Sequence, residues 1–254
     1  MLGLPDGITA CLFDLDGVLT KTAAVHAAAW KEMFDEVLKA HDGEPGVNAA
    51  PFDPASDYLT YVDGKPRYDG VRDFLASRGI HPPEGAPGDA PDGPETIHSL
   101  GDKKNDAVQR IIETDGVEPF AGSVRYLQAA KDAGLGIAVV SSSANAEAVL
   151  EAADIAKFID ERVDGAVAAA EGIKGKPAPD MFLEAARRLG ATIETSAVFE
   201  DALSGVQSGA SGHFRAVIGV NRGDEAQRAA LAGAGATLVV DDLDELLDPA
   251  GSPA

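Results

Sequence analysis

The sequence predicts an α/β fold, a doubly wound and mostly parallel sheet into which an all-helical block is inserted. Three observations point there. From about residue 119 onward, short apolar runs alternate with helical patterns, as parallel sheets require. Residues 8–13 (ITACLF) are a further short apolar run, followed by Gly17, and read as a fully buried strand. Between about 21 and 118 no strand pattern occurs.

Along the chain, Val25, Ala29, Met33, Phe34, Val37 and Leu38 recur at helical spacing and predict a helix over 22–40. "HDGEPGVNAAP" breaks it. Two helical pieces, Ser56–Val62 and Gly70–Arg78, flank "DGKPRYDG", a loop that carries Lys65 and Arg67. Residues 82–94 are rich in proline and glycine and read as a surface loop. A helix follows over about 100–114, with Val108, Ile111 and Ile112 on one face.

Beyond it come a helix at 122–133, a strand at 135–140 and a helix at 145–153. The 158–168 region is left unassigned. A helix at 180–189 stops at Gly190. Strand 196–199, helix 203–210, strand 214–220, helix 224–232 and strand 237–240 complete the pattern. The division is therefore 1–20 with 119–254 for the sheet domain and 21–118 for the helical insertion. The tail "DPAGSPA" is expected to be disordered.

With 45% hydrophobic and 25% charged residues, a sizeable core is available. The formal net charge of −21 argues against nucleic acid and anionic lipid as partners. It would also repel a phosphate ester, so a phosphate site would need a cation of its own. The start of the chain shows no basic and apolar signal pattern, and no run approaches membrane-spanning length. The expected address is the cytoplasm, and the expected state a monomer. Cys11, the one cysteine, lies in an apolar run and reads as a core thiol.

Ligands of open α/β sheets bind beyond the carboxyl ends of the strands. At those ends lie Asp14 and Asp16, then Ser141, Ser142 and Ser143, then Lys176 in the loop after 158–168, then Glu200 and Asp201. Four carboxylates are the hard oxygen donors that Mg²⁺ takes. Serine hydroxyls hold phosphate oxygens, and Lys176 brings a point positive charge. One aspartate can act as a nucleophile and a second, two residues on, as general acid and base. A calcium loop beginning at Asp14 is excluded. It would need an oxygen ligand, glycine and glutamate at its fifth, sixth and twelfth positions, where Val18, Leu19 and Val25 stand.

"DLDGVLT", "VVSSS", "KPAPDMF" and "FEDALSG", in this order, resemble the four motifs of the haloacid dehalogenase superfamily of phosphoryl-transfer enzymes. "TAAVHAAAW", "KKNDAVQRII" and "SSSAN" resemble its β-phosphoglucomutase-like subfamily. The resemblance implies a Rossmann-like core with a helical cap and a Mg²⁺ cofactor. It implies Asp14 as nucleophile and Asp16 as acid/base, with its backbone carbonyl on the metal. Ser141 and Lys176 would grip the transferring phosphoryl, and Glu200 and Asp201 would complete the metal ligands. It places His26, Trp30, Arg67 and Lys104 on the substrate side and Thr22 at the hinge. Ser142, Ser143 and Asn145 would serve substrate phosphate. The substrate class is a small sugar phosphate, handled by a mutase acting on β-glucose 1-phosphate or by a phosphatase for a phosphomonoester. Two residues depart from the mutase pattern: Lys21 where aspartate is usual, and Ala144 where some mutases carry lysine.

Overall fold

The computed structural model describes residues 2–247. The "DPAGSPA" tail lies outside the described residues. The chain divides into two compact units, with boundaries at Lys21/Thr22 and Gly116/Val117.

Every regular element of the second unit is helical. Helix α1 (Ala23–Ala40) buries Trp30, Met33, Phe34, Val37 and Leu38. Phe34 is the hub of this core. Its ring lies 5.0 Å from Trp30, 4.1 Å from Phe74 and 5.3 Å from Phe52. A single π-helical turn covers Tyr58–Val62.

Helix α2 runs over Arg67–Ser77, so Arg67 is helical and not in the loop where its neighbours "DGKPRYDG" suggested. Pro66, with φ −56° and ψ 137°, sets the chain at the N-cap, and the Gly70 N–H closes the first turn on its carbonyl. Helix α3 (Ile97–Asp115) also begins earlier than its apolar stripe predicts. Thr96 and Ser99 form a capping box there, which adds a first turn that periodicity does not register. The 82–94 loop contains only turns and bends.

The first unit is built on a sheet of six strands: β1 (Ala10–Phe13), β2 (Gly136–Val140), β3 (Glu161–Val163), β4 (Ser196–Glu200), β5 (Ala216–Val220) and β6 (Leu238–Val240). The order is β3-β2-β1-β4-β5-β6, and every pair is parallel. Flanking it are α4 (Ala121–Asp132), α5 (Ala146–Ala152), α6 (Gly165–Glu171), α7 (Asp180–Arg188), α8 (Leu203–Ser211) and α9 (Glu225–Ala234). This is the doubly wound arrangement that the alternation of elements predicts. The unassigned 158–168 region contains β3 and the start of α6, separated by Asp164. That buried carboxylate accepts from the Val167 N–H at 2.9 Å and so caps α6.

Side chains of the central strands are buried on both faces. On one face Leu12, Val140 and Val198 join Phe182 of α7 and Val206 of α8 in a continuous core. On the other, Phe13 stacks on Phe199 at 4.4 Å with Tyr126 against both. Cys11 is fully buried, and desolvation pushes its thiol up to about 12, which suits a packing role.

Two features of this sheet position the site. Strand β1 lies between β2 and β4, so the winding reverses there, and such switch points open a crevice at the strand ends. The register pairs Phe13 with Phe199. The next residues, Asp14 and Glu200, therefore leave adjacent strands side by side.

Candidate active site

Asp14 follows β1 directly, and its N–H donates to the Phe199 carbonyl at 2.9 Å. Glu200 ends β4, and Asp201 comes next. All three carboxylates are buried. One oxygen from each can be chosen so that the three lie within 4.8 Å of one another. Like charges this close, away from water, repel strongly.

Lys176 is the cation among them. It arrives on the loop between α6 and α7 and is only 2% exposed. Its ammonium donates to Asp14 Oδ1 at 2.5 Å, to Glu200 Oε1 at 2.5 Å and to the Val140 carbonyl at 2.9 Å. Three donors thus meet acceptors from the ends of β1, β4 and β2. The two carboxylates hold the ammonium well above its ordinary range despite the opposing cost of burial.

The charges do not balance. Three buried carboxylates lie about one ammonium that pairs with two of them, and Arg222 acts on the third, Asp201, so negative charge is in excess. Asp14 registers the excess. Burial raises its carboxyl well above the usual range, Lys176 opposes, and Glu200 and Asp16 push it further up. A divalent cation bound by oxygen donors would cancel this excess, and the donor set fits one.

Two glycines leave room for the cluster. Gly17 has φ +87°, and a Cβ there would overlap the Asp201 carboxylate. A Cβ on Gly205, in α8, would overlap the Glu200 carboxylate. Gly17→Ala is accordingly expected to turn Asp201 aside and weaken divalent-cation binding at least about tenfold, since metal sites depend on ligand orientation. Titration calorimetry on the folded variant checks this, and an unchanged affinity contradicts it.

Asp16 lies one turn on and is partly exposed. Its Oδ2 accepts from the Ser141 hydroxyl at 3.3 Å. Ser141 is buried at the end of β2, and its Oγ also accepts the Ser143 N–H at 3.1 Å. The Ser143 hydroxyl accepts the Asn145 N–H at 3.2 Å, and its carbonyl accepts the Gly165 N–H at 3.0 Å. Ser142 sits within the same half-buried turn, and Asn145 is the buried residue preceding α5. The Asp16 carboxylate is not one of the three clustered groups.

In the helical unit, His26 and Trp30 of α1 meet Lys104 of α3. The Lys104 ammonium lies 2.7 Å from His26 Nδ1 and 4.7 Å from the Trp30 ring centre. All three residues are buried. Arg67 takes a different partner. It pairs with Asp102 at 2.8 Å and donates to the Tyr68 hydroxyl at 2.9 Å. Thr22 is buried and precedes α1, and its carbonyl accepts the His26 N–H at 2.9 Å. Lys21, the departure from the mutase pattern, forms an ion pair with Glu118.

The strand-exit criterion missed one well-placed residue. Arg222 lies just past the end of β5, in "NRGD", and donates to the Gly17 carbonyl at 2.6 Å. Its position at a strand end was the available signal.

A doubly wound sheet with a buried aspartate, a lysine and an acidic pair at its switch point has the make-up of a phosphoryl-transfer site. The family model described as haloacid dehalogenase-like hydrolase matches residues 8–213, and the chain belongs to that family. A protein of Mycobacterium tuberculosis named β-phosphoglucomutase is 54% identical over 248 residues, covering 97% of this chain and 94% of that one. A β-phosphoglucomutase of Bacillus subtilis is 30% identical over 221 residues, covering 84% of each. Among solved structures, a β-phosphoglucomutase of Clostridium difficile superposes with a TM-score of 0.71 at 24% identity, covering 95% of this chain and 94% of that one. That likeness speaks for the fold. Among the described residues no helix is long and apolar enough to cross a membrane.

Proposed function

We propose that the protein is a Mg²⁺-dependent mutase that moves a phosphoryl group between the C1 and C6 hydroxyls of a β-hexose, converting β-glucose 1-phosphate to glucose 6-phosphate. One observation carries the choice of reaction: 54% identity across nearly the whole chain to a protein named β-phosphoglucomutase.

Asp14, Glu200, Asp201 and the Asp16 backbone carbonyl would hold Mg²⁺, which would supply positive charge against the carboxylates and the phosphoryl oxygens. Asp14 attacks phosphorus and becomes the aspartyl phosphate, while the sugar oxygen leaves with a proton from Asp16. The phosphoryl then passes through a 1,6-bisphosphate that reorients. Asp16 takes the proton from the free hydroxyl of β-glucose 1-phosphate, whose oxygen attacks the phosphoryl and frees Asp14, and the reoriented bisphosphate returns its other phosphoryl to Asp14 as glucose 6-phosphate leaves. Lys176 keeps the Asp14 carboxylate oriented and offsets charge as the phosphoryl transfers. The Ser141 hydroxyl, already directed at Asp16, contributes a donor beside it. Ser142, Ser143 and Asn145 serve the substrate's phosphate. In this reading the helical unit is the cap and Thr22 its hinge, with His26, Trp30, Arg67 and Lys104 on the substrate side. The protein acts as a monomer in the cytoplasm.

A phosphatase is the second reading, favoured by Ala144, which leaves no lysine for a distal phosphate at that position. Water would then take the sugar hydroxyl's place. Incubation with β-glucose 1-phosphate, Mg²⁺ and a trace of the 1,6-bisphosphate separates the two. Glucose 6-phosphate with little inorganic phosphate is expected. Inorganic phosphate alone would overturn the mutase reading.

A further inference from the structure

Arg222 spends its guanidinium largely on backbone. Nε donates to the Gly17 carbonyl at 2.6 Å, Nη2 to the Val18 carbonyl at 3.3 Å and Nη1 to the Asp241 carbonyl at 2.9 Å. Its carbon Cζ lies 3.6 Å from the Phe120 ring centre, a close stack. The side chain is 20% exposed.

The groups it touches share a location. Gly17 and Val18 immediately follow Asp16 on the segment by which the chain leaves the first unit. Phe120 lies on the segment by which it returns. The two segments are joined by hydrogen bonds from Lys21 N–H to the Glu118 carbonyl and from Phe120 N–H to the Leu19 carbonyl, both 2.9 Å. Arg222 thus grips the outgoing segment through two carbonyls and the returning one through a ring.

The turn that carries Asp16 has bonds of its own. Leu19 and Thr20 N–H groups donate to the Leu15 carbonyl, the Gly17 N–H donates to the Thr20 carbonyl, and the Ser123 hydroxyl donates to the Val18 carbonyl. None of these holds the Gly17 carbonyl, which Arg222 takes. A role in surface pairing alone explains the geometry poorly. Asp242, Asp201 and Asp241 act on it as charges, but the ion pair with Asp242 is long, at 3.7 Å, and partly exposed pairs of that kind contribute little. Only a planar fork can donate to successive carbonyls while lying flat on a ring; a lysine cannot.

We propose that Arg222 is a positioning residue for phosphoryl transfer, holding the Gly17–Val18 backbone and through it the place of Asp16. The catalytic part rests on the acid/base role proposed for Asp16. Displacement of a reacting group by about 1 Å can cost on the order of 10²-fold in rate.

The test compares full-length parent, Arg222→Ala and Arg222→Lys by two readouts. Hydrogen–deuterium exchange is read by mass spectrometry on peptides covering Leu15–Lys21, with peptides from β4 and β5 as reference. At least tenfold faster exchange is expected at Leu15–Lys21, with less than twofold change in the reference. Unchanged exchange at Leu15–Lys21, or equal acceleration everywhere, overturns the proposal. The second readout is steady-state turnover of β-glucose 1-phosphate. A fall in kcat of at least tenfold is expected with KM within threefold, and an unchanged kcat overturns the proposal. If the parent itself fails to turn over this substrate, the mutase reading fails, and the exchange measurement still decides whether Arg222 holds the turn. Should Arg222→Ala not fold, Arg222→Lys decides by the same measures, because it keeps the charge and loses the fork.

Discussion

Replacing Lys176 with methionine is expected to lower the melting temperature of the metal-free protein by about 10 °C. The ammonium is the cation that Asp14 and Glu200 share, and both ion pairs lie away from water. Removing one partner of a buried pair costs about 3–5 kcal/mol, because the remaining charge is left uncompensated. In a chain of this size each kcal/mol moves the midpoint by about 2–4 °C. The cost falls on three carboxylates together, Asp201 included. Saturating Mg²⁺ should recover part of the loss, since a ligand at 100 times its Kd stabilises by about 2.7 kcal/mol. Thermal unfolding followed by circular dichroism, in chelator and then in excess Mg²⁺, checks both. A midpoint within 2 °C of the parent in chelator would contradict the charge accounting. Turnover should fall by about 10²–10³-fold, as when a preorganised donor is lost from an active site.

Asp14→Asn should separate catalysis from stability. The amide keeps the shape of the carboxylate and still offers Lys176 an acceptor oxygen. It cannot form an acyl phosphate. Turnover is therefore expected to fall by at least about 10⁴-fold, the scale on which removal of a covalent nucleophile acts. The metal-free protein should meanwhile lose no stability and gain a few degrees, because the substitution removes one charge from a cluster in which negative charge is in excess and leaves Lys176 paired with Glu200. Wild-type-like turnover would rule out every covalent route through Asp14. A large drop in melting temperature would show that its charge is needed to hold Lys176.

These opposite signs follow from features that the sequence displayed to different degrees. Strand exits were readable because apolar runs end sharply at Asp14, Ser141 and Glu200, and a parallel sheet gathers such ends on one edge. Lys176 was harder, since the 158–168 region before it shows no clear pattern yet holds β3 and the start of α6, and the lysine comes only after that helix. Its position beside "PAP" and the motif order identified it, not periodicity. Helix starts at Arg67 and Ile97 were missed because a proline N-cap and a Thr96–Ser99 capping box add turns that carry little apolar pattern. The meeting of His26 with Lys104, 78 residues apart, depends on how α1 packs on α3 and has no local signature. Arg222 escaped for a related reason. Its bonds go to backbone carbonyls, which every residue carries, so no side-chain pattern at Gly17 and Val18 announces the partner.

The central claim is that Asp14 carries the phosphoryl group in transit. Acid quench during turnover of β-glucose 1-phosphate with Mg²⁺, borohydride reduction and peptide mass spectrometry test it directly, because borohydride reduces an acyl phosphate to the alcohol. The account predicts homoserine at position 14, absent when substrate is omitted. Unmodified aspartate at that position in protein quenched during active turnover, or a modification at another carboxylate, would contradict it.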